Sequence, residues 1–132
     1  MAKLTDAQAS FLHDEPNVGV VAALREDGTP HQTVVWVDWD GDHVVLNLTS
    51  SRSKLGYLQH DPRVSILVLD RKDPFRWLRV EGDVVEITPE GAYEHIVRQA
   101  GVYLGKEEYP RRPGEQRILV RIAPRRVETY NV

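Results

Sequence analysis

The sequence contains no cysteine among its 132 residues. This absence excludes disulfides, zinc–thiolate centres and thiol nucleophiles, and it is typical of proteins from a reducing compartment. Long hydrophobic runs are also missing, because a stretch such as Val18–Leu24 is far too short to cross a bilayer. The first residues, Met1–Gln8, are polar and lack the apolar core of a signal peptide. We therefore expect a cytoplasmic protein that does not bind membranes.

The common signatures of catalysis are absent as well. The sequence has no G-x-G-x-x-G motif, no Walker loop and no G-x-S-x-G elbow. Its histidines lack the spacing of metal ligands, so no metal site is predicted at His13, His31, His43, His60 or His95. A net charge of −3 lacks the basic excess of nucleic-acid-binding proteins. Hydrolysis, metal chemistry and nucleic-acid binding are therefore not expected.

Short strand patterns separated by turn residues make up most of the chain. Val, Thr and Trp recur in these segments, and Asp40-Gly41 is one of the tight turns between them. A chain of this length is expected to form one domain, residues 1–132. The pattern predicts an α+β fold, a small antiparallel barrel of six or seven strands with about three helices. The first three strands should form a meander, and Gln116–Ile122 and Arg125–Tyr130 a final hairpin.

Local signals predict where the helices begin. Thr5 and Gln8 have the spacing of a capping box, and Ser53–His60 is a second helical segment. Thr88-Pro89 has the pattern of an N-cap followed by proline at the first position of a third helix, for which Gly105 is the expected C-cap. Within the long strand before that helix, Gly82 predicts a bend or bulge.

Apolar residues occupy both faces of the second predicted strand, His31–Trp39. Val35 and Val37 share one face, whereas Val34 and Trp36 share the other. A strand of this kind is covered on both sides, by the core on one side and by a partner or a ligand on the other.

Two cations stand where a strand ends and a helix begins, in the segment Thr49-Ser50-Ser51-Arg52-Ser53-Lys54. The first turn of a helix normally favours Asp or Glu, because the N-terminus carries the positive end of the macrodipole. Arg52 and Lys54, with small hydroxyl residues and no acid, resemble a phosphate cradle. The alternative is an exposed turn whose cations point into water. A similar choice, between a solvated surface and an anion site, applies to Arg111, Arg112, Arg117, Arg121, Arg125 and Arg126.

A family resemblance rests on three stretches, P-H-Q-T-V-V-W-V-D-W-D-G-D-H-V-V-L-N-L-T-S-S-R-S-K, then D-P-R-V-S, then W-L-R-V-E-G. In this order they resemble the FMN-binding split-barrel superfamily typified by pyridoxamine phosphate oxidase. The later segment Y-L-G-K-E-E-Y-P-R-R-P-G-E-Q-R-I-L-V-R-I-A-P-R-R-V is similar to its actinobacterial branch of coenzyme F420-dependent enzymes. The resemblance extends from about Leu4 to Val127.

The resemblance implies a split-barrel homodimer that binds its cofactor in a groove between the subunits. Arg52, Ser53 and Lys54 would bind the phosphate, and Lys54 keeps the family's spacing to Pro62. The strand that would run beside the ring contains His31, Gln32, Thr33, Val34, Val35 and Trp36. The groove would be lined by Asn47, Leu48 and Thr49, and Trp77 would approach the cofactor as one further aromatic residue.

The implied activity is that of an oxidoreductase that transfers hydride between F420 and a small unsaturated organic substrate. The cofactor supplies this chemistry and the protein supplies orientation, so neither a triad nor a metal is needed. Trp36, Ser53 and Trp77 depart from the oxidase itself, so pyridoxal-phosphate chemistry is not expected. FMN is the alternative cofactor, and a carrier without turnover is the alternative function. The sequence identifies no substrate, catalytic residue or proton donor.

Overall fold

The computed structural model describes residues 2–132. Its elements follow the chain as α1 (Asp6–His13), β1 (Val18–Leu24), β2 (Pro30–Trp36), β3 (Asp38–Trp39), β4 (Val44–Thr49), α2 (Ser53–His60), β5 (Arg63–Leu69), β6 (Trp77–Thr88), α3 (Ala92–Leu104) and β7 (Arg117–Tyr130). The seven strands pair antiparallel in one sheet, in the order β2-β1-β5-β6-β7-β4-β3. The predicted α+β fold of antiparallel strands and three helices is confirmed.

One hydrophobic core joins the sheet to the first two helices. Phe11 of α1 and Leu58 of α2 are buried in the same cluster as strand residues such as Val21, Leu46 and Leu78. Burying a side chain of this size contributes about 1.5–3 kcal/mol, so these contacts attach both helices firmly to the sheet. Among the described residues, no helix is both long enough and apolar enough to span a membrane.

The helix signals at the start of the chain and in its middle are confirmed. The Thr5 side chain accepts the Gln8 N–H, and the Gln8 side chain accepts the Thr5 N–H, which completes the capping box of α1. The segment Ser53–His60 is helical over the predicted range.

The predicted meander of the first three strands is confirmed only in part: β1 pairs with β2, but the second predicted strand does not continue unbroken to the third. The second strand breaks at Val37, whose N–H donates to the Tyr103 hydroxyl at 2.9 Å instead of to a neighbouring strand. Beyond the break, β3 pairs with β4, and β4 pairs with β7 at the opposite end of the sheet from β2. The turn residues predict where the chain reverses, but they do not determine which strands pair.

The predicted C-terminal hairpin is wrong, because Arg117–Tyr130 is one continuous strand. The pairing of β6 with β7 shifts register between Glu81 and Gly82, which confirms the predicted bend at this glycine. A Cβ at Gly82 would lie 2.2 Å from the carbonyl oxygen of Ala123, so only glycine allows the two strands to approach this closely. Pro124 pairs opposite Gly82 at the shift, and β7 continues past it.

The third helix begins later than Thr88-Pro89 indicates. β6 continues through Thr88, whose hydroxyl accepts the Glu90 N–H at 3.2 Å in a turn. The N-cap of α3 is Gly91, with φ of 73°, a left-handed conformation that favours glycine. The predicted C-cap at Gly105 is confirmed, with φ of 67°.

The sheet curls so that its two ends approach each other. β2 forms one edge, and β4 lies beside the other edge. Lys54, which follows β4 in the chain, nevertheless donates a hydrogen bond to Thr33 on β2 at 2.6 Å. This approach brings the predicted binding strand and the predicted phosphate cradle to the same place.

Candidate functional site

Two connected cavities lie where β2 approaches β4 and α2. The first, which we call the basic pocket, has a volume of about 450 Å³ and is lined by His31, Thr33, Thr49, Ser51, Arg52, Ser53, Lys54, Arg112 and Glu115. The second, the apolar groove, has a volume of about 210 Å³ and is lined by Val34, Val35, Trp36, Asn47, Leu48, Thr49, Arg52, Lys54, Ile96, Tyr109 and Arg117. Three residues, Thr49, Arg52 and Lys54, line both cavities, which therefore adjoin each other.

The basic pocket lies at the N-terminus of α2. Arg52 is the N-cap residue, its side chain makes no capping hydrogen bond, and the first turn contains no acidic residue. Within residues 2–132, neither Arg52 nor Lys54 has a carboxylate within ion-pair distance. Glu115, which also lines the pocket, pairs with Arg117 instead. The positive end of the helix dipole and two cations without an ion-pair partner therefore favour an anion at this place.

Lys54 is the more informative of the two cations because it is buried, with 6% of its surface exposed. Burial and, to a lesser extent, the charge of Arg52 lower the pKa of Lys54. Its ammonium group has three N–H donors, of which Thr33 accepts one. A buried cation is stable only when its donors have acceptors, and phosphate oxygens would supply those that the protein leaves open.

Aromatic residues form one wall of the apolar groove. Trp36 stacks on Tyr103 with ring centroids 4.8 Å apart, and it meets Tyr109 edge-on at 6.3 Å. The Tyr103 hydroxyl lies 2.7 Å from the carbonyl oxygen of Asn17, which fixes the ring. Burial raises the pKa of Tyr103 to about 12, so this hydroxyl stays protonated at neutral pH. Trp36, which lines the groove, is therefore backed by a ring that is fixed in place and uncharged.

Arg117 brings a third cation to the groove. Its Nε donates to Oδ1 of Asn47 at 2.8 Å, and its Nη2 donates to the Asn47 carbonyl oxygen at 3.1 Å. Its Nη1 donates to Glu115 at 3.0 Å, and the guanidinium carbon lies 5.3 Å from the centre of the Tyr109 ring. The register of β4 with β7, which pairs Thr49 with Arg117, places this side chain beside the predicted cradle.

The structure brings most of the predicted site residues together around these two cavities. The exceptions are Gln32, which is exposed, and Trp77, which stacks on Tyr130 at 6.4 Å and lines neither cavity. His31 lines the basic pocket rather than the groove, and its Nδ1 is buried without a hydrogen-bond partner.

The residues that sequence reasoning did not assign to the site come from distant parts of the chain. Ile96 lies on α3 and belongs to no motif. Tyr109, in the loop after α3, lies within the later family-like segment, but no role in the site was assigned to it. Arg112 and Arg117 belong to the cluster of C-terminal arginines, for which the sequence allowed either a solvated surface or an anion site. These two line the cavities, and Arg117 also pairs with Glu115, whereas Arg121, Arg125 and Arg126 pair with carboxylates and line neither cavity.

The family model described as pyridoxamine 5′-phosphate oxidase matches residues 4–131 of the chain. The chain belongs to this family. The family is one of oxidoreductases, in agreement with the resemblance found in the sequence. No curated protein sequence matches the chain.

Solved structures of the same fold support this assignment to the pyridoxamine 5′-phosphate oxidase family. An F420 reductase is 27% identical with a TM-score of 0.77, the match covering 90% of this chain and 94% of that one. A conserved hypothetical protein from Mycobacterium tuberculosis is 26% identical with a TM-score of 0.72, covering 96% of this chain and 84% of that one. HupZ from Group A Streptococcus shares the fold, with 19% identity and a TM-score of 0.68. The match covers 96% of this chain and 93% of that one.

Proposed function

We propose that the protein is a coenzyme F420-dependent oxidoreductase that transfers hydride between the deazaflavin and a small unsaturated organic substrate. The observation that carries the proposal is the buried ammonium of Lys54, which has Arg52 as neighbour and no carboxylate partner within the described residues, at the junction of the two cavities. Similarity to an F420 reductase at 27% identity supports the choice of cofactor.

The residues present fit a tricyclic ligand that carries a phosphate. Arg52, Ser53 and Lys54 would hold the phosphate in the basic pocket, and the groove between Val35, Leu48 and the aromatic wall would hold the ring. When bound, reduced F420 supplies a hydride, and a proton from solvent or an acid completes the addition to the substrate's double bond. The protein's own contribution is orientation of the two reactants and exclusion of water from the groove.

FMN is the second candidate, because its phosphate and tricyclic ring would meet the same cations and the same groove. Trp36 and Ser53, which depart from the oxidase pattern, favour F420. Fluorescence titration of the ligand-free protein with both cofactors tests this choice. We expect F420 to bind at least about tenfold tighter, a difference of roughly 1.4 kcal/mol. Equal affinities, or a preference for FMN, would reject F420 as the cofactor.

A turnover assay separates an enzyme from a carrier. Reduced F420 is offered together with a panel of small unsaturated substrates, and its oxidation is followed by absorbance. An enzyme should oxidise the cofactor with at least one class of substrate. Tight binding without oxidation across the panel would instead favour a carrier that holds the cofactor without turnover.

We further propose that a second copy of the chain covers the groove. Val34 lines the groove on the edge strand β2, yet 68% of its surface is exposed. An apolar residue in this place is expected to be buried by a symmetric partner, in an interface of roughly 2,000 Å² or more. Sedimentation at micromolar concentration should give the mass of a dimer, and a monomer would reject this proposal.

A further inference from the structure

A buried carboxylate lies behind the apolar groove. Asp38 of β3, 5% exposed, accepts hydrogen bonds from Nδ1 of His13 at 2.8 Å, Nε2 of His95 at 2.9 Å and the Trp39 N–H at 2.8 Å. Arg98 of α3 pairs with the same carboxylate. Burial alone would raise the pKa of Asp38, but the bonds from His95 and His13 outweigh it and hold this pKa below its ordinary value. Asp38 is therefore an ionised group that only accepts hydrogen bonds.

The charge of Asp38 determines which nitrogen of His95 carries the hydrogen. Because the carboxylate only accepts, Nε2 is the donor, and in the neutral ring Nδ1 is then an acceptor. Nδ2 of Asn47 lies 3.0 Å from this Nδ1 and donates to it, and it also donates to the Ala92 carbonyl oxygen at 2.7 Å. A reversed Asn47 amide would set its oxygen against two acceptors. His95 and Ala92 thus fix the orientation of the amide.

The orientation of Asn47 in turn fixes Arg117. With Nδ2 facing α3, Oδ1 faces the groove and accepts the Arg117 Nε–H at 2.8 Å. A reversed amide would place an N–H group against this Nε–H, and the guanidinium would lose its main side-chain contact with β4. Arg117 has five N–H donors, and its three bonds to Asn47 and Glu115 leave the others for a ligand.

We propose that His95 is a positioning residue for the groove. Hydrogen-bonded to Asp38, it orients the Asn47 amide and, through that amide, the guanidinium that Arg117 presents to an oxygen atom of the bound ligand. His95 itself does not line the groove, whereas Asn47 and Arg117 do. The role of this ligand contact rests on the proposed function, but the hydrogen bonds exist without a cofactor and can be measured without one.

The first experiment uses nitrogen NMR of the protein without ligand. The ring nitrogens of His95 should show the hydrogen on Nε2, and a hydrogen on Nδ1 would overturn the proposal without any variant. The Nε–H signal of Arg117, identified by its loss in Arg117→Lys, should exchange slowly with water in the parent. We expect it to persist in His95→Asn, whose oxygen can replace Nδ1 as acceptor, and to be lost by exchange in His95→Leu. An unchanged signal in His95→Leu would overturn the proposal.

The second experiment titrates the same variants with F420 and with FMN. His95→Leu should bind about tenfold more weakly, which corresponds to the loss of one hydrogen bond, whereas His95→Asn should bind nearly as the parent does. His13→Ala is the matched control, since it removes another partner of Asp38 on the far side from the groove. It should lower the free energy of unfolding and leave affinity unchanged.

The outcomes distinguish the two proposals. An equal loss of affinity in His95→Asn and His95→Leu would mean that His95 acts through packing, which overturns its positioning role. A loss of the same size in His13→Ala would overturn it too. If the parent binds neither cofactor while the Arg117 signal still depends on residue 95, the proposed function fails and the positioning role of His95 stands.

Discussion

Two groups of cations in this protein have opposite surroundings. On β7, Arg121 donates to Asp40 and lies against Glu86, and the other arginines of its outer face also pair with carboxylates. At the start of α2, Arg52 and Lys54 have no carboxylate partner in residues 2–132, although Lys54 is buried. The paired cations are explained by the fold alone. For the buried cation without a carboxylate partner, we propose a ligand.

The largest effect that this comparison predicts is on cofactor affinity. In the double variant Arg52→Ala with Lys54→Met, the methionine keeps most of the volume of the lysine stem. We expect F420 to bind more weakly by about 2–4 kcal/mol, because charge-assisted hydrogen bonds contribute roughly 1.5–3 kcal/mol each and are not additive. Fluorescence titration of the parent and the variant measures the loss.

The same double variant should not lose stability when it is empty. Removing two cations from the N-terminus of α2 relieves a dipole repulsion of up to about 1 kcal/mol, which offsets the lost bond to Thr33. Chemical denaturation without ligand should therefore give an unfolding free energy equal to or above that of the parent. A large loss of stability would mean that the two cations serve the fold rather than a ligand.

The matched substitution on β7 should behave in the opposite way. Arg121→Gln removes a pair whose arginine is 27% exposed, so we expect the unfolding free energy to fall by about 1 kcal/mol or less. This loss should shrink at high salt, because screening weakens exposed pairs. F420 affinity should not change. If Arg121→Gln weakened binding as much as the double variant does, the distinction between the two groups would be lost.

The smallest effects should appear in the pH dependence of stability, with opposite signs. The pKa of Lys54 is lowered mainly by burial from its ordinary value of 10.5, which applies to the unfolded chain. The folded state therefore binds the ammonium proton of Lys54 less tightly than the unfolded chain does. Charging Lys54 thus destabilises the protein below its folded pKa, and the penalty vanishes as the pH rises towards 10.5. The unfolding free energy of the parent, relative to Lys54→Met, should rise in alkali. A flat difference would contradict the unpaired state of Lys54.

Asp40, the partner of Arg121, provides the opposite case. Burial alone would raise its pKa, but the N–H groups of Asp42 and His43 outweigh it, and the pKa of Asp40 lies below 3.8. The contribution of Asp40 to stability is therefore complete above pH 3.8, and it is lost as the pH falls through the pKa of Asp40 in the folded state. Acid denaturation of the parent and of Asp40→Asn should differ in this range, with the variant less dependent on pH. Equal acid profiles would contradict the lowered pKa of Asp40.

Local patterns in the sequence were sufficient to predict several elements and to propose the cradle. The bounds of the helix Ser53–His60 follow from its helical pattern and from Pro62 beyond its end. The two cations, Arg52 and Lys54, are only two residues apart in the chain. The phosphate cradle could therefore be proposed from adjacent residues and from the dipole of the helix that they begin.

Long-range contacts account for what the sequence could not predict. The break at Val37 depends on the Tyr103 hydroxyl, which is 66 residues away in the chain. The place of Arg117 in the groove depends on the pairing of β4 with β7, and the Asp38 cluster depends on α1 and α3 meeting at β3. No periodicity or turn signal encodes these pairings. The resemblance indicated which residues converge, but not the polar network behind them.

A titration of two proteins with two ligands tests most directly whether Arg52 and Lys54 hold a phosphate. The parent and the double variant are each titrated with F420 and with its dephosphorylated analogue. We expect the parent to bind the dephosphorylated analogue more weakly than intact F420. This loss should be about as large as the loss that the double substitution causes in the binding of intact F420. The double substitution should then scarcely affect binding of the analogue, because the contact is already absent. If the double variant instead binds intact F420 as well as the parent does, the phosphate is held elsewhere and the assignment of the cradle to Arg52 and Lys54 is wrong.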